Sequence, residues 1–192
     1  GYHALYQGTT ETDDNVAIGY NAMSGAWTTA AVNDCVVIGS GAGAGALVAA
    51  ASGSTFIGTA AGAAVTSGER NTAVGFNALK VEILGDRSTA VGYNALVAQT
   101  GTDGQANNTA IGHQAGLAIT TGLRNTIIGS NVGTGFDTEA DNIFIGQATA
   151  EGAINGADKC IIIGNSAFTG AATQDGTVGI GYGSLAALTS GA

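Results

Sequence analysis

The sequence contains no proline and few charged residues. Proline is absent from all 192 residues, charged residues make up 10% of the chain, and only five residues are basic. The lack of proline suits a structure in which nearly every backbone N–H belongs to a ladder of hydrogen bonds. The formal net charge of -9 leaves no basic face, which argues against a nucleic-acid partner. No apolar run approaches the roughly 20 residues of a membrane-spanning helix, so we expect no membrane insertion.

Catalytic motifs are also missing. The sequence has no nucleophile elbow, no phosphate-binding loop after a strand and no zinc-ligand spacing. Its two histidines, His3 and His113, lie in distant parts of the chain. We therefore predict that the chain is not an enzyme and needs no cofactor. Disorder is disfavoured as well, because hydrophobic residues make up 45% of the chain.

What the chain does contain is a repeat. The segment NTAVGFNAL at residues 71–79 recurs as STAVGYNAL at residues 88–96, and GYHAL at residues 1–5 reads as half of an earlier copy. Successive copies are 17 to 20 residues apart, a period typical of a solenoid in which each repeat forms one coil. Each copy is centred on a glycine, called the motif glycine below: Gly19, Gly39, Gly58, Gly75, Gly92, Gly112, Gly129, Gly146, Gly164 and Gly181.

The three residues before each motif glycine predict a strand. The first and the third are β-branched in every copy, which favours strands, and the glycine can turn the chain with a positive φ. The first row is Val16, Val36, Thr55, Thr72, Thr89, Thr109, Thr126, Ile143, Ile161 and Val178. The third row is Ile18, Ile38, Ile57, Val74, Val91, Ile111, Ile128, Ile145, Ile163 and Ile180.

The middle residue of each strand is apolar in every copy. This middle row is Ala17, Val37, Phe56, Ala73, Ala90, Ala110, Ile127, Phe144, Ile162 and Gly179. Since successive strand residues point to opposite faces, the middle row faces away from the other two rows. Strands that are apolar on both faces are typical of parallel sheets.

Polar residues form rows of their own around the strands. Acidic and basic residues five and six places before the motif glycine predict a charged, solvated edge, where Glu69–Arg70, Asp86–Arg87 and Asp158–Lys159 can pair. A bound cation is an alternative there, although the calcium-binding nonapeptide and the EF-hand spacing are missing.

An aromatic row follows the motif glycine at Tyr2, Tyr20, Phe76, Tyr93, His113 and Tyr182. Such a row fills a corner of the solenoid or stacks on a glycan.

The two cysteines, Cys35 and Cys160, share the position four places before the motif glycine, seven coils apart. At about 4.8 Å per coil they are separated by roughly 34 Å, far beyond the reach of a disulfide. We therefore predict no bridge between them within one chain.

The repeats resemble two known families. NVAIGYNA (residues 15–22), NTAVGFNAL, STAVGYNAL and NTAIGHQAG (residues 108–116) resemble the shaft repeats of bacteriophage tail fibres. The core VAIG (residues 16–19) is similar to the head repeat of YadA-like trimeric autotransporter adhesins. The adhesin resemblance implies a left-handed parallel β-roll, three of which pack around one axis. It also implies that the first and third rows fill each roll while the middle row approaches the axis. The adhesin repeats are shorter than the 17 to 20 residues found in this chain.

These observations predict an all-β fold. We expect a parallel β-roll or β-helix solenoid of about ten 17–20-residue coils, assembled as a homotrimeric fibre, with residues 1–192 forming a single repeat domain cut from a longer chain. If one strand face fills the roll, the other leaves an apolar stripe that a monomer rarely tolerates in water. The predicted trimer interface is the middle row: Ala17, Val37, Phe56, Ala73, Ala90, Ala110, Ile127, Phe144 and Ile162.

The predicted function is structural: a segment of a phage tail fibre involved in host attachment, located in the virion or at a cell surface. Its partners would be further copies of the chain and a host-surface receptor or glycan bound by this or a distal domain. The alternative is an adhesin head that binds host surface or matrix. A β-helix enzyme would need a groove of clustered charges. An ice-binding solenoid would need paired outward Thr rows, whereas the single Thr run is expected to point inward.

Insertions in solenoids map to loops, so the longest repeats should bulge. These are the steps from Gly19 to Gly39 and from Gly92 to Gly112. The predicted surface-contact residues are Trp27, Gln99, Asp103 and Gln105.

Overall fold

The computed structural model describes residues 1–6, 13–25, 32–45, 51–101, 104–152, 156–170 and 173–188. Ten three-residue strands form one sheet: β1 (Val16–Ile18), β2 (Val36–Ile38), β3 (Thr55–Ile57), β4 (Thr72–Val74), β6 (Thr89–Val91), β8 (Thr109–Ile111), β9 (Thr126–Ile128), β10 (Ile143–Ile145), β11 (Ile161–Ile163) and β12 (Val178–Ile180). The short strands β5 (Gly85–Asp86) and β7 (Gly104–Gln105) form a second sheet.

Every pair of neighbouring strands is parallel and in register. Thr72, Ala73 and Val74 of β4, for example, lie opposite Thr89, Ala90 and Val91 of β6. Each row of the sequence repeat is therefore a row of stacked residues in space, and the chain winds through about nine turns from β1 to β12. The prediction of an all-β parallel solenoid is confirmed.

The motif glycines are required by the close stacking of the coils. Their φ angles lie between 127° and 144°, a region that side chains other than glycine rarely enter. A Cβ placed on Gly19 would lie 2.6 Å from the carbonyl oxygen of Gly39 in the next coil. The predicted positive φ is confirmed, and the stacking of backbone on backbone is a second reason why only glycine fits.

The middle row fills the inside of the roll, which corrects the predicted orientation of the strands. Its members from Val37 to Ile162 have no exposed surface, and Ala17 packs against the same core. None of the first-row and third-row side chains is buried. The predicted trimer interface is therefore wrong, because side chains that fill their own roll cannot contact a partner: Ala17, Val37, Phe56, Ala73, Ala90, Ala110, Ile127, Phe144 and Ile162.

The core is completed by the residues that follow each motif glycine, and in some coils their sizes compensate those of the middle row. Phe56 shares its coil with Gly62, where an added Cβ would lie 2.6 Å from the ring carbon Cδ1 of Phe56. The reverse arrangement pairs Gly179 with Leu185, whose Cδ1 would lie 2.5 Å from an added Cβ. Interiors pack at crystal-like density, so in these two coils the large residue fits because the residue opposite is glycine.

Buried amides connect the coils. The side chain of Asn71 donates from Nδ2 to the carbonyl of Gly85 at 2.8 Å and accepts from the backbone N–H of Ser88 at 2.8 Å. Asn108 and Asn125 repeat both contacts in later coils. This row satisfies buried backbone groups that a turn would otherwise leave without partners.

The second insertion folds partly inward, which corrects the prediction that it protrudes throughout. Gln99 is fully buried. Its Nε2 donates to Glu82 Oε2 at 2.6 Å and to Ser88 Oγ at 3.0 Å. Glu82 Oε1 accepts three backbone N–H groups, including that of Gly85 at 2.7 Å. Gln99 is therefore not a surface contact, because it satisfies a buried carboxylate.

Candidate assembly and binding surfaces

The outer face of the ten-stranded sheet consists of the first and third rows. Val16 is 43% exposed and Ile18 55% exposed, and all twenty side chains in the two rows are exposed or half-buried. None of them is charged, although the chain carries a net charge of -9. An uncharged, largely aliphatic stripe thus runs along the whole described length of the solenoid. We call this stripe the outer face.

Threonine occupies the centre of the outer face. Five consecutive coils carry it in the first row, and all five side chains are half-buried and point away from the core: Thr55, Thr72, Thr89, Thr109 and Thr126. The expectation that this run points inward is wrong, for the same reason as the middle-row assignment. The outer face is aliphatic at both ends and partly hydroxylated in its middle.

The residues after the motif glycine form an exposed corner beside the outer face. Phe76, Tyr93 and His113 lie on successive coils, with ring centroids 5.5 Å and 5.2 Å apart and ring planes within 8° of parallel. A second stack joins Tyr6, His3, Tyr2 and Tyr20 at the first coils. Rings of neighbouring coils stack between Phe76, Tyr93 and His113 and between Tyr2 and Tyr20, whereas His3 stacks on Tyr2 and Tyr6 of its own coil.

The edge before the strands carries most of the charged residues. Arg124 makes two hydrogen bonds to Asp141 in the next coil, at 2.6 Å and 2.9 Å. This arginine holds the pKa of the Asp141 carboxyl below its ordinary value. Arg70 pairs with Glu69 of its own coil at 2.8 Å, rather than with a neighbouring coil. Exposed pairs of this kind contribute little to stability.

The described residues contain no cluster of metal ligands and no membrane-spanning helix. No group of three or more His, Cys, Asp or Glu side chains there could hold a metal ion. Nor does that part of the chain form a helix with the length and hydropathy that a membrane crossing requires. Cys35 and Cys160 are free thiols, as predicted. Burial raises the pKa of both thiols, which makes them poor nucleophiles.

The structure describes two of the predicted surface-contact residues, and one of these two is exposed. Gln99 is buried, whereas Gln105 is exposed in β7, and its Oε1 accepts from Asn107 Nδ2 at 3.3 Å. Trp27 and Asp103 lie outside the described residues.

The sequence alone places the first and third rows, which form the outer face, inside the roll. The size compensation between Phe56 and Gly62 was the signal that could have corrected this assignment.

Comparisons with protein-family models, with curated proteins and with solved structures find no match to this chain. Its function therefore has to be argued from the surfaces described above.

Proposed function

We propose that the chain is a structural segment of a homotrimeric attachment fibre of the phage tail-fibre type, and that its outer face is the contact between protomers. The observation that carries this proposal is the uncharged outer face, which no part of the described chain covers. The fold itself adds support, because an in-register solenoid forms a rod whose length grows with each coil.

The outer face is large enough to mark an interaction surface. Ten coils of three-residue strands span roughly 48 Å by 10 Å, or on the order of 500 Å². A standard protein interface buries roughly 800 Å² per partner, so the outer face would supply more than half of such a contact. Exposed apolar patches larger than a few hundred Å² mark interaction sites on soluble proteins.

A closed rotational assembly about the rod axis suits this geometry. A rotation axis that runs along the rod covers the outer face of every chain in the same way. It leaves the two ends of the rod free, so that further coils can be added. The resemblance to tail-fibre and adhesin repeats implies three chains. The orientation proposed here places the first and third rows at the axis, where the Thr run forms the centre of the contact.

An adhesin head is the second candidate, and the exposed aromatic corner favours it. Phe76 is 47% exposed and Tyr93 46% exposed, so this segment has a surface suited to direct contact with a host. Any sequence encoded next to this segment would separate the two settings. A virion-attachment or chaperone domain supports the fibre, and a membrane-anchor domain supports the adhesin.

The assembly is tested with two neighbouring residues of β6 that point to opposite sides. Val91→Arg places a charge on the outer face, and Ala90→Arg places one inside the roll. Sedimentation equilibrium should give a trimer for the wild type and a folded monomer for Val91→Arg, whereas Ala90→Arg should lose the β-sheet signal in circular dichroism. Thr121→Arg, an exposed position outside the outer face, should remain a trimer. A monomeric wild type, or a trimeric Val91→Arg variant, would show that the outer face does not join protomers.

A further inference from the structure

The corner beside the outer face has an unusual composition for an acidic chain. The two positions that follow each motif glycine carry no Asp, Glu, Lys or Arg in any of the eleven copies, counting the partial copy at Gly1. They hold aromatic, amide, hydroxyl and small residues instead. A surface without charge along the whole rod selects against ionic ligands, because neither phosphate nor a cationic group finds a partner there.

The central ring stack offers an open aromatic surface. Parallel rings in van der Waals contact have planes about 3.5–4 Å apart, whereas the centroids of Phe76, Tyr93 and His113 are 5.5 Å and 5.2 Å apart. At van der Waals contact this spacing requires each ring to be displaced sideways from the next. Nearly half of the Phe76 and Tyr93 side chains is exposed, so the stack presents aromatic surface to solvent.

A row of amides runs directly beside this surface. Four consecutive coils carry an amide one position after the ring row, all with φ of 53° or 54°: Asn77, Asn94, Gln114 and Asn131. Asn77 Nδ2 donates to Asn94 Oδ1 at 3.2 Å, and His113 Nδ1 lies 3.2 Å from Asn131 Oδ1. These contacts use only part of the hydrogen-bonding capacity of each amide. Donors and acceptors thus repeat once per coil beside the rings.

We propose that this corner, formed by Phe76, Tyr93, His113 and the adjacent amide row, binds an uncharged, extended β-linked oligosaccharide laid along the rod. The apolar C–H faces of the sugars lie on the ring surface, and their hydroxyl and acetamido groups pair with Asn77, Asn94 and Gln114. The rod repeats once per coil, about every 4.8 Å, so an extended chain that advances by a similar distance per sugar brings successive sugars to equivalent side chains.

This binding activity goes beyond the rod function and does not depend on trimer formation, because the corner is exposed in the single chain. The probe is the hexamer of β-1,4-linked N-acetylglucosamine, added to the wild-type protein at up to millimolar concentration. Binding is followed by the NMR signals of the histidine rings. The chain has two histidines, one in each ring stack, so shifts of His113 without shifts of His3 locate the sugar on the central stack.

The variants separate recognition by the ring from a general effect on the fold. Loss of one ring should weaken binding about three- to tenfold in Tyr93→Asn, while Tyr93→Phe should bind like the wild type. Tyr182→Ala is the matched control. Tyr182 occupies the same row but lies four coils away from the central stack, next to Asn165 rather than a ring. It should leave affinity unchanged.

The competing outcomes are distinct. No binding of the hexamer, equal affinity of Tyr93→Asn and wild type, or shifts at His3 alone would each overturn the proposal. Dextran sulfate is the charged comparison, and tighter binding of dextran sulfate than of the neutral hexamer would also overturn it. A monomeric wild type that still binds the hexamer would refute the trimer and leave this site standing.

Discussion

The motif glycine Gly92 allows the most direct test of the coil stacking. Its φ is 139°, and a Cβ added there would collide with the carbonyl group of Gly112 in the next coil. The Gly92→Ala substitution therefore adds two penalties at once. One is the intrinsic strain of a side chain at this φ, about 1–3 kcal/mol. The other is the displacement of one coil from its neighbour.

The second penalty can be estimated from the hydrogen bonds on either side. Gly92 donates to the carbonyl of Val74 at 2.8 Å, and Gly112 donates to that of Val91 at 2.8 Å. Weakening both bonds costs about 1 kcal/mol each. We expect Gly92→Ala to lower the free energy of unfolding by about 3–5 kcal/mol in total, a large fraction of the roughly 5–15 kcal/mol that stabilises a folded protein.

Substitutions at two other glycines separate the backbone strain from the collision between coils. Gly181 has a φ of 127° but no atom within 4 Å of its added Cβ, so Gly181→Ala carries the strain without the collision. Gly53 has a φ of 72° and its nearest contact is Arg70 Cγ at 3.7 Å; Gly53→Ala should cost about 1–2 kcal/mol. Urea unfolding followed by circular dichroism at one protein concentration measures all three. A Gly92→Ala variant as stable as Gly181→Ala would refute the backbone-stacking argument.

Two further predictions concern the core and the charged edge. Ala73→Phe and Leu79→Gly should each destabilise the chain by about 2–4 kcal/mol, through overpacking and a cavity respectively. The double variant, which copies the Phe56 coil, should recover at least half of the summed loss in urea unfolding, and simple additivity would contradict the compensation. The pKa of Asp141, followed by NMR of its carboxyl carbon, should rise toward its ordinary value in Arg124→Gln. Because the folded pKa is lowered, the pair should stabilise the chain above the ordinary pKa of aspartate and lose that effect as the pH falls through the folded value; an unchanged pKa in Arg124→Gln would contradict the pairing.

The strands, their register and the motif glycines could be predicted from the sequence, because each depends on local chemistry that the repeat displays in every copy. Which strand face is buried could not be derived from alternation alone. A period of two separates the rows but does not say which side is inside when both are apolar. The decision comes from contacts across the coil, where Phe56 needs Gly62 and Gly179 accommodates Leu185.

Gln99 was misplaced for a different reason. Its position, seven residues after the motif glycine, is occupied by the buried apolar residues Val65 and Ile119 in other coils, so the repeat did contain the information. A polar insertion suggested a surface loop. The buried carboxylate of Glu82, which lies at the same position one coil earlier, supplies the partner that makes an inward amide favourable.

The in-register stacking makes the length of this rod independent of its cross-section. The segments at residues 71–79 and 88–96 are close copies separated by 17 residues, and each coil meets its neighbours through the same backbone contacts. Recombination between two such copies removes or adds one whole coil and changes the reach of the rod by about 4.8 Å. The in-register stacking of the remaining coils stays as it was. A gene of this kind can therefore change the length of the rod in steps of one coil, while the surface residues of the other coils stay the same.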